Sequence, residues 1–271
     1  MRWLQDITLG NYFPAESLVH HLDPRLKIAG LALLMGVTFA VYSPGAIIFH
    51  TAFILMVIRF SRIPLVLFLR SLRFFIWLFL FTAILHLFFT PGEPIFVQAP
   101  FNSLPITHEG IVRGGLISWR LLAVIALSAL LTHTTTPLEI TRGMESILSP
   151  LERFRFPVQD FSLMMMMSIR FIPVLSEETQ RVWKAQRSRG ADFGRGGLKT
   201  RAHTLTSVLL PVFASIFRRA DELAMALEAR GYVPGRKRTS MKQLTWTGQE
   251  TAALLLLILW VAVLAGLQMR G

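Results

Sequence analysis

Phe161-Ser-Leu-Met164-Met165-Met166-Met167-Ser-Ile-Arg170-Phe-Ile-Pro173-Val-Leu175 is an apolar run interrupted by one arginine and one proline. A similar run, Thr204-Leu-Thr-Ser-Val-Leu209-Leu-Pro211-Val-Phe-Ala-Ser-Ile-Phe217, follows it. Each falls short of the roughly 20 residues that cross a bilayer, and runs of this length more often make buried or interfacial helices. Whether these two cross the membrane decides between seven spans and five. Five other runs read as spans, at about 26–42, 45–60, 73–90, 112–132 and 251–268. Seven spans would put Arg181, Lys184, Arg187, Arg189, Arg195, Lys199 and Arg201 outside, against the positive-inside rule. Five spans put Arg2, Arg25, Lys27, Arg59, Arg62, Arg70, Arg73 and all 18 Lys and Arg of residues 133–250 inside. The expected fold is therefore an all-α membrane protein of about five transmembrane helices plus long cytoplasmic amphipathic helices. Residues 1–132 form a domain of four spans, 133–250 a cytoplasmic domain, and 251–271 a last span.

Composition agrees. The chain is 53% hydrophobic and 16% charged, against about 25% charged in soluble proteins. The net charge of +12 could suggest nucleic acid, but Lys and Arg alternate with apolar runs of membrane length, so they set topology. No nucleic-acid partner is expected; the lipid bilayer is. With no cysteine, disulfides, thiolate metal sites and cysteine nucleophiles are excluded. The N-terminus lacks the apolar core of a cleavable signal, so the first span is expected to direct insertion. The N-terminus should lie in the cytoplasm and the C-terminus outside.

The cytoplasmic domain should hold a helix near 137–149, breaks at Pro150 and Pro157, and long helices at about 159–189 and 201–230. The first long helix is expected to kink at Pro173. Their apolar halves can lie against the membrane domain and their polar halves project from it. Both helices end in the same pattern. Ala185-Gln-Arg-Ser188-Arg189-Gly190-Ala-Asp-Phe-Gly194-Arg195 is matched 41 residues later by Ala226-Leu-Glu-Ala229-Arg230-Gly231-Tyr-Val-Pro-Gly235-Arg236. One Arg-Gly is an ordinary helix end, with glycine in the left-handed conformation and a cation suited to the dipole. Two matched copies point further. Arginine offers a rigid fork of donors to a carboxylate, and glycine permits close approach.

Helix pairs ending in Ser188-Arg189-Gly190 and Ala229-Arg230-Gly231 resemble the coupling helices of the transmembrane T component of energy-coupling factor transporters. Ile7-Thr8-Leu9-Gly10-Asn11-Tyr12, Ser17, His21-Leu22-Asp23-Pro24-Arg25-Leu26-Lys27, Thr136-Pro137-Leu138-Glu139 and Ser149-Pro150-Leu151 extend the likeness across the chain. The opening is closer to T components shared among several substrate-binding subunits than to cobalt-dedicated ones. The resemblance implies a subunit of an ABC importer for vitamins or transition metals. Two cytoplasmic ABC ATPases, carrying ATP and Mg, would dock on Ser188, Arg189, Gly190, Ala229, Arg230 and Gly231. A membrane-embedded substrate-binding S component would contact Met164, Met165, Met166, Met167, Leu209 and Pro211. No cofactor, metal or catalytic residue is expected in this chain. The membrane is expected to be the bacterial or archaeal cytoplasmic one.

Other features have plainer readings. Asp23-Pro24 reads as an N-cap followed by proline at the first helical position, ahead of a metal site with His20 and His21. The methionine run serves as adaptable packing or as a plastic contact surface. Arg170 can snorkel to water, and Arg120 faces a protein interior. Gly194-Arg-Gly-Gly197-Leu198-Lys199-Thr200 fails as a phosphate loop, because Leu198 precedes the lysine and no strand leads in. Two rivals remain. A permease would carry substrate through its own bundle and depend on Arg120 or His86, but no pair of broken helices marks one. A membrane enzyme acting on phosphorylated substrates would need an acid, base or metal cluster near its arginines, and none stands out.

Overall fold

The computed structural model describes residues 12–92, 107–191, 197–236, 239 and 246–270. The opening motif at 7–11, most of the Pro-rich loop after Pro91, and Gly194 and Arg195 of the first repeat lie outside these residues. Every regular element among the described residues is a helix, and the chain is an all-α membrane protein. Two units form it, Asn11–Met144 with Gln243–Gly271, and Glu145–Lys242.

The membrane unit begins with α1 (Leu18–His21) and α2 (Pro24–Ala40). Asp23 caps α2, its carboxylate accepting the Arg25 N–H at 2.8 Å, with proline at the first helical position. His20 lies between the Ser17 hydroxyl (2.7 Å) and the Phe13 carbonyl (3.0 Å). These two residues are thus engaged in capping and local bracing. Ser43 turns the chain into α3 (Pro44–Phe60). Both α2 and α3 have 17 residues, about 25 Å of helix against a hydrocarbon core of about 30 Å.

The run expected as a span at 73–90 holds one helix, and a second helix precedes it at a bend. α4 (Leu65–Arg73) and α5 (Ile76–Phe89) meet at an angle of 52°. α4 carries Arg70 and Arg73 in its last turn, and its apolar residues follow one face. A continuous apolar helix stops where that face gives way. α6 (His108–Thr134) and α10 (Gly248–Arg270) are long and apolar enough to cross a membrane.

The core of this unit gathers Leu34, Val41, Ile54, Ile58, Leu127, Leu130, Trp260 and Leu264 from α2, α3, α6 and α10. His50 is fully buried among them. Thr38 donates its hydroxyl proton to the Leu34 carbonyl at 2.8 Å, so it accepts the Nε2–H of His50 at 2.9 Å. The imidazole stands edge-on to Trp119 and tilted against Trp260. Arg120 donates to the Val41 carbonyl at 3.0 Å and lies 4.8 Å from the centre of the Tyr42 ring. It therefore closes the end of α2. His86 packs its Cβ against Gly114 of α6.

In the second unit a 3-10 turn (Ser149–Phe154), with Pro150 at its start, leads to α8 (Val158–Ser188) and α9 (Leu198–Ala229); α7 (Pro137–Leu148) precedes it. By length and composition alone α8 also qualifies as a span. Its apolar half supplies that signal.

Candidate functional site: paired glycine-capped arginine tips

α8 ends at Arg189 and α9 at Arg230, and the two ends have the same backbone. In the first, Gly190 N–H donates to the Arg187 carbonyl (3.1 Å) and Ala191 N–H to that of Gln186 (3.1 Å). In the second, Gly231 N–H donates to Glu228 (2.9 Å) and Tyr232 N–H to Leu227 (3.0 Å). These paired bonds make a Schellman cap, which needs a left-handed residue after the cap. Gly190 and Gly231 provide it, with φ of 89° and 73°. Open space surrounds both glycines, so backbone conformation, not crowding, selects them. Ser188, Arg189, Gly190, Ala229, Arg230 and Gly231 are all exposed. Among the described residues neither arginine has an ion-pair partner.

The helices run antiparallel. Near the middle, Glu178 of α8 accepts from Ser215 (3.4 Å) and lies 3.9 Å from the Arg219 guanidinium of α9. At one end, Asp160 in the first turn of α8 accepts the Tyr232 hydroxyl (3.2 Å) and the Gly235 N–H (2.8 Å). The tip after α9 is thus fastened beside the start of α8. The tip after α8 lies at the far end of that helix, roughly 40 Å away at 1.5 Å per residue. The polar half of each helix therefore runs alongside the apolar half of the other, rather than the two polar halves projecting together.

This register divides the residues expected to meet an S component. Met164 to Met167 lie near the tip that follows α9. Leu209 and Pro211 lie toward the tip that follows α8, about 30 Å along the pair. Met164, Met165 and Leu209 are exposed, whereas Met166, Met167 and Pro211 are half-buried, as consecutive positions around one helix must be. Arg170 is exposed. Asp160, Glu178 and Glu145, whose carboxylate accepts from Ser162 at 2.6 Å, carried no sequence signal. Apart from Arg181, 3.8 Å from Glu178 on the same helix, the partners named above for them lie 17 to 75 residues away.

The family model CbiQ, described as a cobalt transport protein, matches residues 15–241. A Bacillus subtilis protein is 41% identical over 96% of this chain and 98% of its own length. A Thermanaerovibrio acidaminovorans protein is 42% identical over 97% of each chain. One from Acidaminococcus fermentans is 39% identical over 98% of each. All three are named energy-coupling factor transporter transmembrane protein EcfT. The chain belongs to the CbiQ/EcfT family. It is accordingly a multi-pass membrane component of an energy-coupling factor transporter, and the matched region includes both tips of the CbiQ/EcfT chain.

Proposed function

We propose that this chain couples two cytoplasmic ATPases to a separate membrane-embedded S component, transmitting the motion of ATP hydrolysis without binding the nutrient itself. The observation that carries this reading is the pair of arginines presented by identical glycine caps at opposite ends of one antiparallel helix pair. Two similar grooves on an ATPase dimer would each receive one tip. Arg189 and Arg230 each offer a guanidinium to an acidic group there, paired bidentately. A rigid pair of long helices carries displacement of either end along its length. The exposed apolar residues Met164, Met165, Leu205, Leu209, Leu210 and Phe213 provide surface for the S component.

Co-purification from native membranes in mild detergent tests the assembly. Wild type should bring down two ATPase subunits and a small hydrophobic protein. Arg189→Ala and Arg230→Ala should each weaken ATPase retention or uncouple hydrolysis from uptake. Loss of one member of a buried charge pair typically costs about 2–5 kcal/mol. Normal transport with ATPases still bound in both single variants and the double variant would sink the proposal.

A further inference from the structure

The membrane unit holds a cavity of about 350 Å3 with almost wholly hydrocarbon walls. Its lining comes from within residues 26–34 of α2, 53–60 of α3, 127–134 of α6 and 253–257 of α10, with α1 at one edge. These are the early turns of α2 and α10 and the late turns of α3 and α6. Every wall therefore belongs to the same end of the helix bundle, which is the cytoplasmic end in the topology set out above. Leu18, Met56 and Phe60, at its edge, are exposed, so the cavity opens to the surface of the unit.

Among the described residues of the lining, Lys27 is the one that is charged. Its ammonium donates to the His20 carbonyl (2.7 Å) and the Thr134 carbonyl (3.2 Å). An ammonium has three donors, so the two carbonyls fix its position and one proton is left over. The Asp23 and Glu139 carboxylates lie near enough to act on this ammonium through their charge, but neither hydrogen-bonds to it. Asp23 accepts from the Arg25 N–H, and Glu139 from the Thr136 N–H at 3.1 Å.

The apolar walls of such a hollow gain dispersion contacts from an apolar occupant. In a bilayer the material at its open side is lipid tail, as apolar as leucine. From Lys27 to Leu34 the hollow extends about 10 Å along α2, a depth suited to the upper part of a fatty-acyl chain. Basic pockets between spanning helices on the cytoplasmic side are suited to anionic headgroups. We infer that this cavity seats one acyl chain of an anionic phospholipid from that leaflet, with the headgroup phosphate on the free Lys27 donor.

The full chain is placed in bilayer discs of phosphatidylcholine with and without phosphatidylglycerol, released into mild detergent, and weighed by native mass spectrometry. Wild type should retain one phosphatidylglycerol in preference to phosphatidylcholine. Lys27→Met should lower that preference about fivefold, the contribution of one cation near an anionic surface. Val57→Trp, which fills the cavity, should abolish retention while the thermal melt persists. Should that variant fail to fold, Leu131→Phe makes the same test with a smaller change. Arg189→Ala should retain the lipid as wild type does, so failure of the docking proposal leaves this one standing. No retained lipid in wild type, undiminished retention in the filled variant, or an unchanged preference in Lys27→Met would overturn it.

Discussion

Asp160 carries a role that its place in the sequence does not announce. In the first turn of α8 its charge suits the helix dipole, and that alone would account for it. Its two oxygens also hold Tyr232 and Gly235, which fixes the segment after the second tip. Hydrogen bonds to a charged group are worth about 1.5–3 kcal/mol. Asp160→Ala should therefore loosen the tip after α9 and leave the tip after α8 unchanged. Spin labels at Val233 and Ala191 would read this as sharpened spectra at the first position only, and Asp160→Asn should fall between. Equal loosening at both positions would refute the assignment. His20 makes a second test at this scale. Burial lowers its pKa below the usual 6.5, against the Phe13 carbonyl, which raises it. The folded state thus binds the proton less readily than the unfolded chain. The contribution is fully present above pH 6.5 and is lost as pH falls through the lowered folded value. Melting of the purified chain should worsen from pH 7 to pH 5, and His20→Gln should flatten that dependence.

At the scale of helices, α5 and α6 approach closely because α6 presents Gly110 and Gly114 on one face. A Cβ at Gly110 would stand 2.8 Å from the His86 carbonyl oxygen, and one at Gly114 would stand 3.2 Å from the His86 Cβ. Small residues four apart let helix backbones meet where no hydrophobic driving force acts between them. Gly110→Ala must displace backbone and should cost about 1–3 kcal/mol, the usual range for overpacking. Gly114→Ala needs a smaller adjustment and should cost less. Thermal unfolding in one detergent would rank them, and a reversed ranking would contradict the packing. Sequence reading placed a helix at 112–132 and another at 73–90. It could not see this contact, because glycine in a helix reads as a weakness until the neighbouring backbone is known. Nor could it see α4. The run 65–90 is apolar enough to pass as one segment, and only the arginines at 70 and 73 interrupt it. The Schellman ends of α8 and α9 were legible, since Arg-Gly after an amphipathic stretch specifies both the stop and the left-handed residue.

Across the whole molecule, the membrane class and the two long helices were readable because each rests on local pattern: apolar length, charge distribution, capping residues. The direction in which the helices pair was not. It depends on Glu178, Ser215, Arg219 and Asp160 meeting across tens of residues, and those residues look like ordinary surface polarity in the sequence. That direction changes what the repeated motif means. Two tips projecting side by side could enter one shared surface, whereas two tips roughly 40 Å apart need separate sites. Distant sites without shared partners add their free energies within about 0.3–0.5 kcal/mol. The affinity loss of an Arg189→Ala, Arg230→Ala double variant for the ATPases should therefore be close to the product of the single losses. Titrating the reconstituted chain with purified ATPases would measure all three. A double variant no worse than either single would mean that both arginines serve one groove. The antiparallel pair would then have to bend until its ends met, at the expense of the Asp160 brace at one end or the Glu178 contact at its middle.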